Sequence, residues 1–290
     1  LRGIPWVFEV RDLWPAFPIQ MGAVPSSGLH RLLRWGEAAL YRRATRVVTL
    51  SSDMEQHVRV RAPGASVTTI EYGTDPALAD RSNSERRSEL KDRFGLDRRF
   101  LVLYAGSFGR ANALPTLLHA ARRLAARRSD VLVAFAGDGY HAPAVQRAAR
   151  EHSAIRRLPP LPYPDTLALF ACADVSLVSF IDRPVLASNS PCKFFDSLAA
   201  GTPVVVTNPG WTKRFVERHG CGWFVPPESP KRLATCLQAA LASPEALNAK
   251  GRVARRVSHA RFDRTSLMDR YARLIRRAGT APPGGPDAFR

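Results

Sequence analysis

Short runs of apolar, β-branched residues alternate along this chain with segments of helical period. Strands are expected at WVFEV (6–10), RVVTL (46–50), VTTIEY (67–72), FLVLYAG (100–106), VLVAFAG (131–137), VSLVSF (175–180), PVVVTN (203–208) and GWFVPP (222–227). Helices are expected at 114–127, 141–151, 164–172, 191–200 and 229–242. Several of these strand runs are apolar throughout instead of alternating, as in strands buried on both faces beneath crossover helices. The pattern predicts an α/β protein built on doubly wound parallel sheets.

The rhythm breaks once. Residues 74–99, TDPALADRSNSERRSELKDRFGLDRR, are polar and charged, and read as a linker leading into the first helix and strand of a second domain. A last helix is expected over 264–277, followed by AGTAPPGGPDAFR, a Pro/Gly-rich tail expected to be disordered. The division expected is a Rossmann-like N-terminal part over 1–80, a second Rossmann-like domain over 81–260, and a helix returning toward the first over 261–290. There are no internal repeats.

At 290 residues with a 45% hydrophobic share, the chain has enough apolar material for two cores. Its net charge of +18 comes mostly from arginine and attracts polyanions in general. A nucleic-acid-binding protein is the reading this charge invites, yet no basic patch with interleaved aromatics and no reading motif accompanies it. The spacing of Cys172, Cys192, Cys221 and Cys236 fits neither a zinc motif nor a disulfide scaffold. No run approaches the ~18 apolar residues of a membrane-spanning helix. A cytoplasmic, reducing setting is the expectation. Leu1 and the immediate strand read as the start of a fragment.

Three stretches carry candidate chemistry. In YAGSFGRANALPTLL (104–118) a buried strand runs into a Gly-x-x-Gly turn, Gly106 and Gly109, with a helix following near Asn112. Amides at a helix start, with the positive end of its dipole, suit a phosphate, and Arg110 adds a cation. The same pattern is met in ordinary βα turns. FAGDGYHAP (135–143) repeats it with Gly137 and Gly139, and with Asp138 placed to cap the next helix. In SNSPCKFFDSLAAGTPVVV (188–206), Ser190 or Asn189 suits the N-cap of a helix carrying Lys193 and Asp196, three apart on one face. Alone, that pair reads as solvated surface charge. All three stretches follow strands, and ligands of open α/β sheets bind outside the carboxyl ends of the strands. Together they outline a nucleotide diphosphate site.

The order YAGSFG, FAGDG, ADVSLVSF, SNSPCKFFDSLAAGTPVV and RHGCGWFVPP resembles the C-terminal half of family 4 glycosyltransferases of the GT-B fold. VFEVRDLWPAFPIQMG (7–22) is similar to the subgroup that adds amino sugars to bacterial surface polysaccharides, and IEYGTD (70–75) sits at that family's turn before the linker. The resemblance runs from about residue 4 to residue 278. It implies a retaining, metal-independent transferase without a cofactor, moving a sugar from a nucleotide-sugar, a UDP-sugar above all, to a lipid-linked or polysaccharide acceptor. Gly106, Ser107, Gly109, Arg110, Asn112, Gly137, Gly139, Ser188, Asn189, Ser190, Lys193 and Asp196 fall on its donor-binding positions. Lys193 is then the phosphate contact and Asp196 the ribose contact. Arg11 and Asp12 fall where the reacting sugar is handled.

The sequence departs from that pattern at three places. Ser188 stands where many relatives carry a glutamate. Ser107 and Asn112 stand where many carry an arginine and a lysine, leaving Arg110 as the loop's cation. Arg11-Asp12 replaces a histidine. A doubly wound half has roughly six strands, whereas three are expected before the break, so the N-terminal domain is expected to be incomplete. A donor-binding fragment without activity and a GT-B sugar-nucleotide epimerase are the alternatives within this fold.

GLHRLLRWGEAALYRRATR (28–46) bears on location. Leu29, Leu32, Leu33 and Leu40 form one helical stripe, with Arg31, Arg34, Trp35 and Arg42 on the opposite side. A tryptophan among arginines suits an anionic membrane surface, and an ordinary solvated face has the same composition.

Overall fold

The computed structural model describes residues 4–25, 27–75, 84–96 and 100–280. Residues 76–83 and 97–99 of the expected linker and 281–290 of the expected disordered tail lie outside the described residues. The chain forms two compact units. One comprises residues 1–73, 183–190 and 264–290, the other residues 74–182 and 191–263.

In the first unit, β1 (Val7–Val10), β2 (Arg46–Thr49) and β3 (Val67–Thr69) pair in parallel in that order. Helices α1 (Ala16–Gln20), α2 (Ser27–Arg43) and α3 (Ser52–Arg61) fill the crossovers. Ser51 caps α3, its side chain accepting from the Met54 amide at 3.2 Å. Val48 and Ile70 pack with Leu267 of the last helix.

The second unit is a six-stranded parallel sheet. Its strands are β4 (Phe100–Ala105), β5 (Val131–Ala136), β6 (Ile155–Leu158), β7 (Val175–Val178), β8 (Val204–Val206) and β9 (Gly222–Phe224). Their order is β6-β5-β4-β7-β8-β9, so the winding reverses between β4 and β7. The helices, in chain order, are α4 (Ser84–Phe94), α5 (Leu114–Ala125), α6 (Ala142–Glu151), α7 (Tyr163–Cys172), α8 (Cys192–Ala199), α9 (Trp211–His219), α10 (Pro230–Leu241) and α11 (Pro244–Arg261). The last helix, α12 (Arg264–Gly279), belongs to the first unit.

Why β4 and β5 are apolar throughout is visible in their two faces. Val102, Tyr104, Val133 and Phe135 pack with Leu117, Leu124 and Leu237 on one side. Leu101, Leu103, Ala105, Leu132 and Ala134 pack with Leu169 and Phe170 on the other. With helices on both faces, neither set of side chains meets water.

Strand β6, IRRL, was not expected. It lies at the sheet edge, where only Ile155 and Leu158 are buried and Arg156 is exposed, so its run is too polar to read as a strand. Helices α3 and α11 were likewise unmarked in the sequence, both carrying a weak apolar stripe.

Candidate functional site

The crevice of such a sheet lies where its winding reverses, at the carboxyl ends of β4 and β7. Here the loops leaving those strands touch. Ser179 Oγ donates to the Asn112 carbonyl at 2.7 Å, and the Ile181 amide to the Ala111 carbonyl at 2.9 Å.

The loop after β4 is pinned from below. The amides of Gly106 and Phe108 donate to the carbonyls of Ala136 and Asp138 at 2.9 and 2.8 Å. The loop after β5 is thereby stitched beside it. Gly137 is required by this contact, since a Cβ there would stand 2.1 Å from the Gly106 carbonyl oxygen, at a φ of +142°. Gly139, at φ +137°, brings its own backbone against that of Phe108. Loop-to-loop docking thus accounts for both glycines. Alternating with the committed amides, those of Ser107 and Gly109 have no acceptor among the described residues.

Lys193 reaches this loop from α8. Its Nζ donates to Tyr104 Oη at 2.7 Å and lies 3.8 Å from the centroid of the same ring. Tyr104 Oη donates in turn to the Ser107 carbonyl at 2.7 Å, which also accepts from Asn112 Nδ2 at 2.9 Å. A Cβ on Gly106 would fall 3.0 Å from both Cε and Nζ of Lys193, so the missing side chain is what admits the lysine. Burial pushes the Lys193 ammonium down to about 7, since a charge taken from water favours its neutral form. Burial also raises the Tyr104 phenol, which stays protonated and able to donate.

Asp196 takes a different direction. Thr74 Oγ1 and Tyr163 Oη each donate to its Oδ1 at 2.9 Å, and the residue is 7% exposed. It is therefore not one half of a solvated pair with Lys193. Lys193 is oriented by the buried Tyr104, and Asp196 by the buried Thr74 and the more exposed Tyr163.

The helix bearing both is held by aromatic packing. Phe194 meets Trp211 edge-on at 5.2 Å, and Phe195 meets Phe262 at 4.8 Å. The N-cap of α8 is Pro191, with no side-chain cap, so neither Ser190 nor Asn189 caps it as expected. These residues follow a short 3-10 turn, Pro184–Ser188, which belongs to the first unit. Ser188 Oγ donates to the Val185 carbonyl at 2.8 Å within that turn. Ser190 Oγ is buried and has no hydrogen-bond partner among the described residues. Asp138 is not a helix cap either. Its Oδ1 accepts from the Gly139 amide at 2.9 Å and from Arg157 at 3.2 Å, while His141 begins α6.

Arg110 stacks on the Tyr140 ring, 4.1 Å from its centroid. In the first unit, Arg11 and Asp12 follow β1. Arg11 Nε donates to Tyr72 Oη at 2.8 Å and lies 3.7 Å from Glu9 Oε1. Local crowding raises the Asp12 carboxyl, and Arg11 pulls it back. Glu9 also accepts from Tyr271 Oη at 2.8 Å, and Tyr271, half-buried beside that carboxylate, is pushed up to about 12.

Tyr104, Thr74 and Tyr163 were absent from the sequence-based site. Tyr104 left a signal: it is the one hydroxyl in an otherwise apolar strand run, and a buried tyrosine needs a partner for it.

The fold is that of a GT-B protein, with Lys193 set beside the glycine loop at the winding reversal of the second sheet. The family model for "Glycosyl transferases group 1" matches residues 99–243, and that for a "Glycosyl transferase 4-like domain" matches residues 1–73. The chain belongs to the group 1 glycosyl transferase family. It is 24% identical over 255 residues to an alpha-D-kanosaminyltransferase of Streptomyces kanamyceticus, covering 86% of this chain and 64% of that protein. It is 24% identical to a probable glycosyltransferase, WbjE, of Pseudomonas aeruginosa, covering 94% of this chain and 68% of that one. The structure of Anabaena HepE in complex with UDP and glucose superposes with a TM-score of 0.74 at 17% identity, over 94% of this chain and 71% of that one. WaaG, a glycosyltransferase involved in lipopolysaccharide biosynthesis, superposes at 0.71 with 19% identity, over 94% and 76%.

Proposed function

We propose that the protein transfers a sugar from a nucleotide-sugar, with UDP as the nucleotide, to a lipid-linked or polysaccharide acceptor. The observation that carries this reading is the Lys193–Tyr104–Ser107 relay at the winding reversal of the second sheet. It aims a cation at a loop with two open amides, which is the chemistry a diphosphate requires. The choice of UDP rests on the likeness to HepE, whose structures are described as complexes with UDP. The choice of acceptor rests on the likeness to WaaG and to WbjE.

In the transfer the bond from the sugar's anomeric carbon to the phosphate oxygen breaks, and its electron pair leaves on the diphosphate. The acceptor oxygen bonds to that carbon and gives up its proton. Lys193 and the amides of Ser107 and Gly109 offset the charge that develops on the leaving group. Asp196, held by Thr74 and Tyr163, takes the ribose hydroxyls. Arg11, always charged, is assigned to phosphate charge and Asp12 to the proton. Retention of configuration and independence of metal belong to the same proposal.

Calorimetric titration with a panel of UDP- and GDP-sugars tests the assignment. The parent is expected to bind UDP-sugars saturably. Asp196→Asn keeps an acceptor for Thr74 and is expected to bind them at least tenfold more weakly. Unchanged binding by a folded Asp196→Asn protein removes Asp196 from the ribose role.

A further inference from the structure

The two ends of the second unit are fastened to each other and to α8. Thr74 opens that unit and Asp263 closes it. The Thr74 amide donates to the Phe262 carbonyl at 3.0 Å, and Thr74 pairs with Asp263 as an isolated parallel bridge. Helix α8 meets this junction twice. Thr74 Oγ1 donates to Asp196 Oδ1 at 2.9 Å, and the Phe195 ring meets Phe262 edge-on at 4.8 Å. Thr74, Phe195 and Phe262 are each 1% exposed.

One threonine thus closes the junction with its amide and orients a carboxylate with its hydroxyl. Tyr163 Oη donates to the same Asp196 oxygen, but from a residue that is 38% exposed. Water substitutes readily for an exposed phenol and poorly for a buried hydroxyl, so Thr74 is the partner that fixes the carboxylate. A side chain already held in one rotamer loses less freedom when a ligand takes it.

We infer that Thr74 is the positioning residue of the ribose contact and couples it to the closed junction. The ribose of a bound nucleotide and the Thr74–Phe262 pairing then stabilise each other. Coupling between two equilibria is reciprocal, so an orienting bond that favours the ligand is favoured by the ligand in equal measure. Thr74 acts through Asp196 and touches no ligand itself. The inference rests on the ribose role proposed for Asp196.

Titration of the full chain with UDP and with 2′,3′-dideoxyuridine diphosphate, which lacks the ribose hydroxyls, tests it. The parent is expected to bind UDP the more tightly. Thr74→Val keeps the branched shape and removes the hydroxyl. It is expected to lose at least about fivefold in affinity for UDP and little for the dideoxy compound. Thr74→Ser restores the hydroxyl and is expected to bind UDP as the parent does. Hydrogen exchange on the parent needs no variant: at equal saturation, UDP is expected to slow exchange at the Thr74 amide more than the dideoxy compound does. A folded Thr74→Val protein that keeps the parent's preference for UDP overturns the inference, whether both affinities hold or both fall. So does a Thr74 amide that exchanges with UDP bound as it does in the free protein. A parent that binds the two compounds equally removes the ribose role of Asp196, and the inference falls with it.

Discussion

Lys193 Nζ and Tyr104 Oη lie 2.7 Å apart, and the same hydroxyl donates to the Ser107 carbonyl. A single buried phenol therefore couples the lysine on one element to the glycine loop on another. The lysine's aim depends on a residue that need not touch a ligand. Tyr104→Phe removes both hydrogen bonds and keeps the packing against Phe108 and Phe135. The expected cost is about 1 kcal/mol of stability and a several-fold weaker affinity for nucleotide diphosphates. Calorimetry beside a thermal melt checks it. Affinity equal to the parent's denies Tyr104 its positioning role.

The lysine's depressed titration predicts a pH dependence of binding. A diphosphate raises the pKa of the ammonium it contacts, so binding takes up a proton above about pH 7, where the unliganded lysine is neutral. UDP affinity is expected to be flat below pH 7, after allowance for phosphate titration, and to fall as pH rises above it. Lys193→Met is expected to flatten the fall.

Stability follows the opposite course. The folded lysine titrates near 7 and the unfolded one near 10.5, so between those values the unfolded chain holds more protons. Stability from this group rises with pH across that window. Lys193→Met is accordingly expected to melt higher than the parent at pH 7 and below, the gap closing toward pH 10. A parent that melts higher than the variant at pH 6 contradicts the burial argument.

Gly137 and Gly220 separate clash from backbone strain. Both have positive φ, but a Cβ at Gly137 meets the Gly106 carbonyl oxygen at 2.1 Å while one at Gly220 meets nothing within 4 Å. Gly220→Ala is expected to cost about 1 kcal/mol and Gly137→Ala at least about 3 kcal/mol, with the loop displaced. Denaturant melts compare them directly. Equal costs mean the two loops do not require each other.

The second unit was legible in the sequence because its central strands are buried on both faces, and helices at their carboxyl ends brought Gly106, Lys193 and Asp196 to one sheet edge. What misled was local spacing. Lys193 and Asp196, three apart, resemble a surface pair, yet one turns to Tyr104 and the other to Thr74 and Tyr163. Ser190 and Asn189 look like caps, but the turn before them leaves Pro191 at the helix start. The stripe on α2 has the period of a core-facing helix, and only the structure reveals that Glu37 and Tyr41 took the inside. Pattern reports that a face exists, and packing decides which way it points.

The central claim is that Lys193 grips a nucleotide's diphosphate. Titrating the parent and Lys193→Met with UDP and with uridine tests it most directly, since the two ligands differ only in the diphosphate. The account predicts that the variant stays folded, loses at least tenfold in affinity for UDP, and binds uridine as the parent does. A folded variant that binds UDP as tightly as the parent would contradict it.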